Sequence, residues 1–392
     1  MNELNPSMAA GIASGVYTLR KDADWNTMQA LGKKIIDTNL GITDQFSLQP
    51  SDRFKGTSGG NLIRTEAGFG YLAEGVNTRK GELLIGIRGT VHALDWVTDL
   101  AQALRRGPSG HPVHGGFLRT FESFEPVIGE YLRHAGSLST VHVVGHSLGG
   151  ALATLTADYL QLRGMNVKLY SFGSPRVGTN TFSQYLTQKL KAENVFRVSN
   201  QSDPVTMVPI FPFFHVPNDQ AQYLIPSWHG INPFNHMMGK YIPSVEGKTW
   251  ANLNEQASKK SWSEQVELWL ESAGSNSSGI QMYSAKALWM IMKALNWIVG
   301  QALHAVGVVA GLGALGVVTV LDQLTQILHQ GVLESIKIAE WVGSLIAGIM
   351  KFLGRTVVAG AKMTANFIRW VLELLFKTLS TMAYMALHNA NK

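Results

Sequence analysis

The sequence predicts an α/β fold with a central, mostly parallel sheet, followed by a C-terminal all-helical hydrophobic domain. Three observations carry this. Short apolar runs ending in Gly, Ser or Asn turns recur through the first two thirds of the chain, helical stretches alternate with them, and beyond residue 275 the sequence turns rich in Gly, Ala, Val and Leu with little charge.

In chain order, Glu82 to Ile87 leads into Arg88-Gly89-Thr90, and Thr140 to Val144 leads into Gly145. Val167 to Phe172 then leads into Gly173-Ser174-Pro175, and Val195 to Ser199 leads into Asn200. Each reads as a buried strand. Ala151 to Arg163 and Thr181 to Ala192 read as crossover helices, which parallel neighbours require. Between Val91 and Arg106, apolar residues at Val91, Leu94, Val97, Leu100 and Leu104 have the spacing of an amphipathic helix, and Gly107-Pro108 reads as its stop. Trp262 to Glu271 has Trp262, Val266 and Trp269 on one helical face, and the Ser/Gly/Asn-rich octet from Ser272 to Gly279 follows. The expected organisation is therefore an α/β domain over 1–272, a linker over 273–280 and a helical, apolar and basic domain over 281–392.

The chain has 392 residues, of which only 15% are charged, against about 25% in an average soluble domain, so disorder is excluded. Zero cysteines exclude disulfides, thiolate metal sites and cysteine nucleophiles. The net charge of +6 is unevenly distributed, since residues 286–392 hold nine Lys/Arg and four Asp/Glu. The main body is nearly neutral and offers nucleic acid no footprint. The N-terminus has an acid before any base and no unbroken apolar core, so it does not read as a Sec signal; export would need a signal-independent secretion machine.

Gly145-His146-Ser147-Leu148-Gly149 matches Gly-x-Ser-x-Gly, the sharp strand-to-helix turn that exposes a serine hydroxyl. It follows an apolar strand and opens a helix whose first residues, Gly150, Ala151 and Ala153, are small, which is the setting the motif requires. A serine hydroxyl is a poor nucleophile near neutral pH, so Ser147 needs a histidine base, and the base needs a carboxylate to fix its tautomer. Asp203 follows the run Val195 to Ser199 at a strand's carboxyl end, where α/β active sites gather. Three histidines follow it within the body, His215, His229 and His236, and sequence geometry does not choose among them. The backbone amide of Leu148, directly after the nucleophile, is one expected oxyanion donor. His114 and His146 read as packed, hydrogen-bonded histidines rather than ligands. Neither a HExxH pattern nor a calcium-loop spacing occurs, so no metal or cofactor is expected.

Several segments, in order, resemble the class 3 (fungal-type) triacylglycerol lipase family of the α/β-hydrolase superfamily. They are Ile87-Arg88-Gly89-Thr90, Trp96 to Leu100, Val113 to Phe117, the Ser147 segment, Phe172 to Gly178 and Asp203 to Pro209. The resemblance covers about residues 10–245 and none of the tail. It implies an α/β-hydrolase fold, His236 as the base, with His229 the alternative, and His215 as a structural histidine. It further implies that Thr90 is the second oxyanion donor and that the segment from Val91 to Arg106 is a lid over a lipid site. The same periodicity also fits a surface helix packed on the core.

In the tail, 28 residues from Ala294 to Leu321 carry no formal charge, enough for about 42 Å of helix. Lys351, Arg355, Lys362, Arg369 and Lys377 recur near helical spacing, with Val358, Ala361, Ala365, Ile368, Leu372, Leu375 and Leu379 on another face. This reads as a basic amphipathic helix for an anionic membrane surface, or as the solvated face of a bundle helix. The expected function is a lipase or phospholipase acting on glycerolipid esters, associated with membranes. The missing signal and apolar tail resemble lipase effectors that bacteria deliver into rival cells, which implies an inhibitory or immunity partner. The competing expectation is a membrane-permeabilising or anchoring protein whose lipase-like body is a scaffold.

Overall fold

The structure, a computed structural model, describes residues 3–17, 45–47, 53–59, 64–89, 104–218, 222–227, 230–254, 262–275, 279–305, 319–356 and 361–389. Its strands are β1 (Phe46–Ser47), β2 (Arg53–Gly59), β3 (Arg64–Gly75), β4 (Glu82–Ile87), β5 (Leu104–Arg106), β6 (Pro112–His114), β7 (Thr140–His146), β8 (Val167–Phe172), β9 (Val195–Asn200) and β10 (Gln222–Ile225). The body helices are α1 (Pro6–Gly15), α2 (Gly115–Glu122), α3 (Glu125–His134), α4 (Leu148–Gln161), α5 (Asn180–Leu190), α6 (Met238–Val245) and α7 (Trp250–Asn254). Beyond them lie α8 (Trp262–Gly274), α9 (Ala285–Ala305), α10 (Val320–Glu334), α11 (Ile336–Phe352) and α12 (Ala365–Asn389).

Eight strands form one sheet in the order β1-β3-β4-β7-β8-β9-β10, with β2 also paired to β3. From β4 to β10 all neighbours run parallel, and β1, β2 and β3 form an antiparallel margin. This is the expected α/β-hydrolase architecture. All residues of β4, β7 and β9 are buried, because helices cover both faces of the sheet. Leu84, Val144, Tyr170 and Phe196 face a cluster with α1 and α6. Leu83, Ile85, Val143 and Leu169 face a second cluster with α2 and α4. Two expected strands extend further than their apolar runs, since the ladder continues to His146 opposite Phe172 and to Asn200 opposite Ile225.

One expectation is corrected. Leu104 to Arg106 is not the end of a helix but strand β5, paired antiparallel with β6. Gly107-Pro108 lies in the hairpin connection, and the Arg105 guanidinium grips the Glu122 carboxylate of α2 with two contacts, at 2.9 and 3.1 Å. The same Gly-Pro signal stops a helix or turns a hairpin, and only the partner strand decides. The rest of the expected lid, 91–103, lies outside the described residues.

The helical tail packs on itself and on the body. α8 lies against α11 and α9, α10 against α9, α11 and α12, and α12 against the two 3-10 turns Pro204–Met207 and Pro233–His236. Its apolar residues join the same continuous cluster as α2, α4 and the turn residues Val205 and Met207. The basic amphipathic helix expected from Lys351 to Lys377 is not one helix: α11 ends at Phe352, Gly354 follows with φ +69°, and α12 begins at Ala365. Ile368, Leu372, Leu375 and Leu379 are buried inside the protein. The cations are engaged too, since Lys351 Nζ donates to the carbonyls of Ala273 and Ser275 at the end of α8, and Arg369 pairs with Asp322 and Glu373. Among the described residues, α12 is the one helix long and apolar enough to cross a bilayer, by length and composition.

Candidate active site

The position of Ser147 is dictated by backbone crowding. Ser147 sits between β7 and α4 with φ 59° and ψ −132°, a conformation costly for a non-glycine residue. The turn is so tight that a Cβ on Gly145 would lie 2.1 Å from the Gly149 carbonyl oxygen, and one on Gly149 would lie 2.3 Å from that of Ile87. Both positions therefore require glycine, and the strain is held by the flanking strand, with the Ser147 amide donating to the Phe172 carbonyl at 2.9 Å.

His236 brings its ring to this serine from the end of the turn Pro233–His236. Its Nε2 lies 2.8 Å from Ser147 Oγ, and its Nδ1 lies 2.9 Å from Asp203 Oδ2. A carboxylate only accepts, so Nδ1 carries the proton, leaving Nε2 free to take the serine proton. Asp203 and His236 are fully buried and Ser147 is 4% exposed.

Asp203 is satisfied on every side. Oδ1 accepts from the Val205 amide at 2.9 Å, and Oδ2 also accepts from the Tyr241 hydroxyl at 2.7 Å. Tyr241 in turn accepts from the Asn200 amide at 3.0 Å, and burial, then the neighbouring Asp203 charge, push its phenol well above the ordinary range. Tyr241 therefore stays a donor at all working pH values. The acid and base loops are tied together, the Asn232 amide donating to the Ser202 carbonyl at 3.0 Å. The Leu148 amide is the first of α4, among the N-terminal donors that intrahelical bonds leave open.

The other histidines are used differently. His215 Nε2 lies 2.8 Å from the Thr206 carbonyl, and burial followed by the Arg197 and Arg176 charges holds its pKa well below the ordinary value. His114 caps α2, accepting from the Phe117 amide at 3.3 Å. Thr90 and His229 lie outside the described residues. Two side chains at the site had no motif to announce them: Tyr241, in α6 just after His236, and Tyr17, whose hydroxyl lies 2.7 Å from His146 Nδ1.

Residues 84–213 match the family model for lipase (class 3). A secreted mono- and diacylglycerol lipase of Fusarium solani is 35% identical over 40% of this chain and 48% of its own length. A chloroplastic phospholipase A(1) of Arabidopsis thaliana is 29% identical over 38% of each chain. The chain thus spans about half or less of these relatives. The solved mono- and diacylglycerol lipase of Aspergillus oryzae aligns with a TM-score of 0.41 and 19% identity, over 58% of this chain and 81% of that one.

Proposed function

We propose, from the match of residues 84–213 to the lipase (class 3) family model, that the chain is a class 3 lipase-like hydrolase that cleaves carboxylic ester bonds of glycerolipids through an acyl-serine intermediate. The observation that carries the proposal is the unbroken chain from Asp203 through His236 to Ser147. As Ser147 Oγ attacks the ester carbonyl, its proton passes to His236 Nε2, and Asp203 steadies the imidazolium by holding Nδ1–H. The developing oxyanion receives the Leu148 amide and, as the family resemblance implies, Thr90. His236 then gives its proton to the departing glycerol oxygen, and water removes the acyl group by the same steps in reverse. The relatives named for mono- and diacylglycerol and for phospholipid hydrolysis support glycerolipids as the substrate class.

We further propose that a hydrolase body and the helical tail are the two working parts, and that the tail meets a lipid surface. Support comes from the length and composition of α12 and the basic excess of residues 286–392. The test is lipid mass spectrometry on mixed phospholipid and diacylglycerol vesicles. Native protein should release fatty acid, and Ser147→Ala should release at least about four orders of magnitude less. Vesicle dye leakage that persists in Ser147→Ala, with no fatty acid freed by either protein, would instead mark a permeabilising protein. Growth of a bacterium carrying native protein or Ser147→Ala in its envelope tests the extension to a delivered antibacterial effector.

A further inference from the structure

His146, the last residue of β7 and the one before Ser147, is 1% exposed and makes two contacts that the proposed chemistry does not use. Its Nε2 lies 2.7 Å from the backbone carbonyl of His236. A carbonyl only accepts, so Nε2 carries hydrogen and Nδ1 of the neutral ring is bare. Tyr17, just beyond α1, places its hydroxyl 2.7 Å from that Nδ1 and therefore donates to it. Burial and the adjacent His236 hold the His146 pKa well below its ordinary value, so this hydrogen-bonding pattern persists through the neutral range. The two imidazoles lie 4.7 Å apart between centroids, tilted by 33°. Tyr17 also abuts the strand end before Thr90, since a Cβ on Gly89 would come 2.6 Å from its hydroxyl.

We infer that His146, oriented by Tyr17, is a positioning residue that fixes the backbone and ring of the base His236 over Ser147. The inference rests on the ester-hydrolase reading above. The base stands on a one-turn 3-10 segment, a short support for a ring that must meet Ser147 Oγ and Asp203 at once. The N–H of His146 ties that segment to the strand carrying the nucleophile, so that base and nucleophile share one frame. Tyr17 selects the tautomer that makes the tie. The same pair touches the oxyanion side at Gly89, so the N-terminal helix helps hold both sides of the serine.

The test compares His146→Leu, His146→Gln and Tyr17→Phe with native protein on a soluble short-chain ester. A fluorophosphonate that labels Ser147 reports the reactivity of the serine independently. His146→Leu should lower kcat and the labelling rate by about 10- to 100-fold, the scale of a misplacement near 1 Å, with KM within about two-fold. His146→Gln, which offers an amide N–H at similar reach, should recover most of that loss, and Tyr17→Phe should cost about three- to ten-fold. If His146→Leu fails to fold, the glutamine and Tyr17 variants still decide, because equal and native-like rates in both overturn the inference. So does a glutamine variant as impaired as a folded leucine variant. A native protein that neither turns over ester nor takes the label overturns the hydrolase reading as well, whereas an active native protein matched by its variants overturns this inference alone.

Discussion

The sheet body and the helical tail bury apolar side chains in one continuous cluster, yet they solve opposite problems. In the body, the buried polar groups of two clusters are matched partner by partner: Asp203 to His236, Val205 and Tyr241, and His142 to Glu82 and Tyr170. In the tail, α9 to α12 meet through interlocked side chains such as Trp297 and Trp341, whose rings lie 4.4 Å apart, and most ion pairs sit at the surface. The body therefore specifies the positions of the proposed reacting atoms, and the tail specifies mainly volume. Small errors in the first should cost rate, and in the second stability.

Three measurements break or sharpen that contrast. Asp203→Asn, which preserves shape but loses the charge and puts a donating amide where an accepting oxygen stood, should lower kcat about ten-thousand-fold with little change in thermal midpoint. An unaltered kcat would remove Asp203 from the chemistry.

Leu372→Ala, on the buried face of α12, should destabilise by about 2–5 kcal/mol in urea unfolding, the range for emptied core positions. Because α12 rests on the turns bearing the acid and the base, activity should be lost together with tail fluorescence as urea rises. Activity that outlasts the tail transition would mean the body holds its site unaided.

The smallest effect is a pH dependence of stability. Burial lowers the His142 pKa to about 4 from 6.5, so between those values the unfolded chain binds the extra proton. Its contribution is full above pH 6.5 and is lost as pH falls toward 4, by about 3 kcal/mol at most. His142→Gln should flatten that part of the urea midpoint against pH. An unchanged slope would show that another group governs it.

Much of the body was legible because its requirements are local. A strand covered on both faces must be apolar along its middle, as Leu83 to Ile87 are in β4, and the turn at Ser147 admits only glycine at its tightest points. Tyr241 and Tyr17 were not legible, since their roles exist only once chain segments 38 and 129 residues away arrive beside them. The tail's ambiguity has another cause. An apolar helix face reads the same whether it meets lipid or protein, and Leu372 and Leu375 turned out to meet protein. β5 was misjudged because three residues carry too little periodicity to separate strand from helix.

The seating of α12 on the turns after Asp203 and before His236 has a practical corollary. A chain cut short before Ala365 would not be a trimmed catalyst. It would leave Asp203 and His236, two members of the proposed triad, beside greasy, uncovered ledges, and whoever shortens this protein should expect to blunt it.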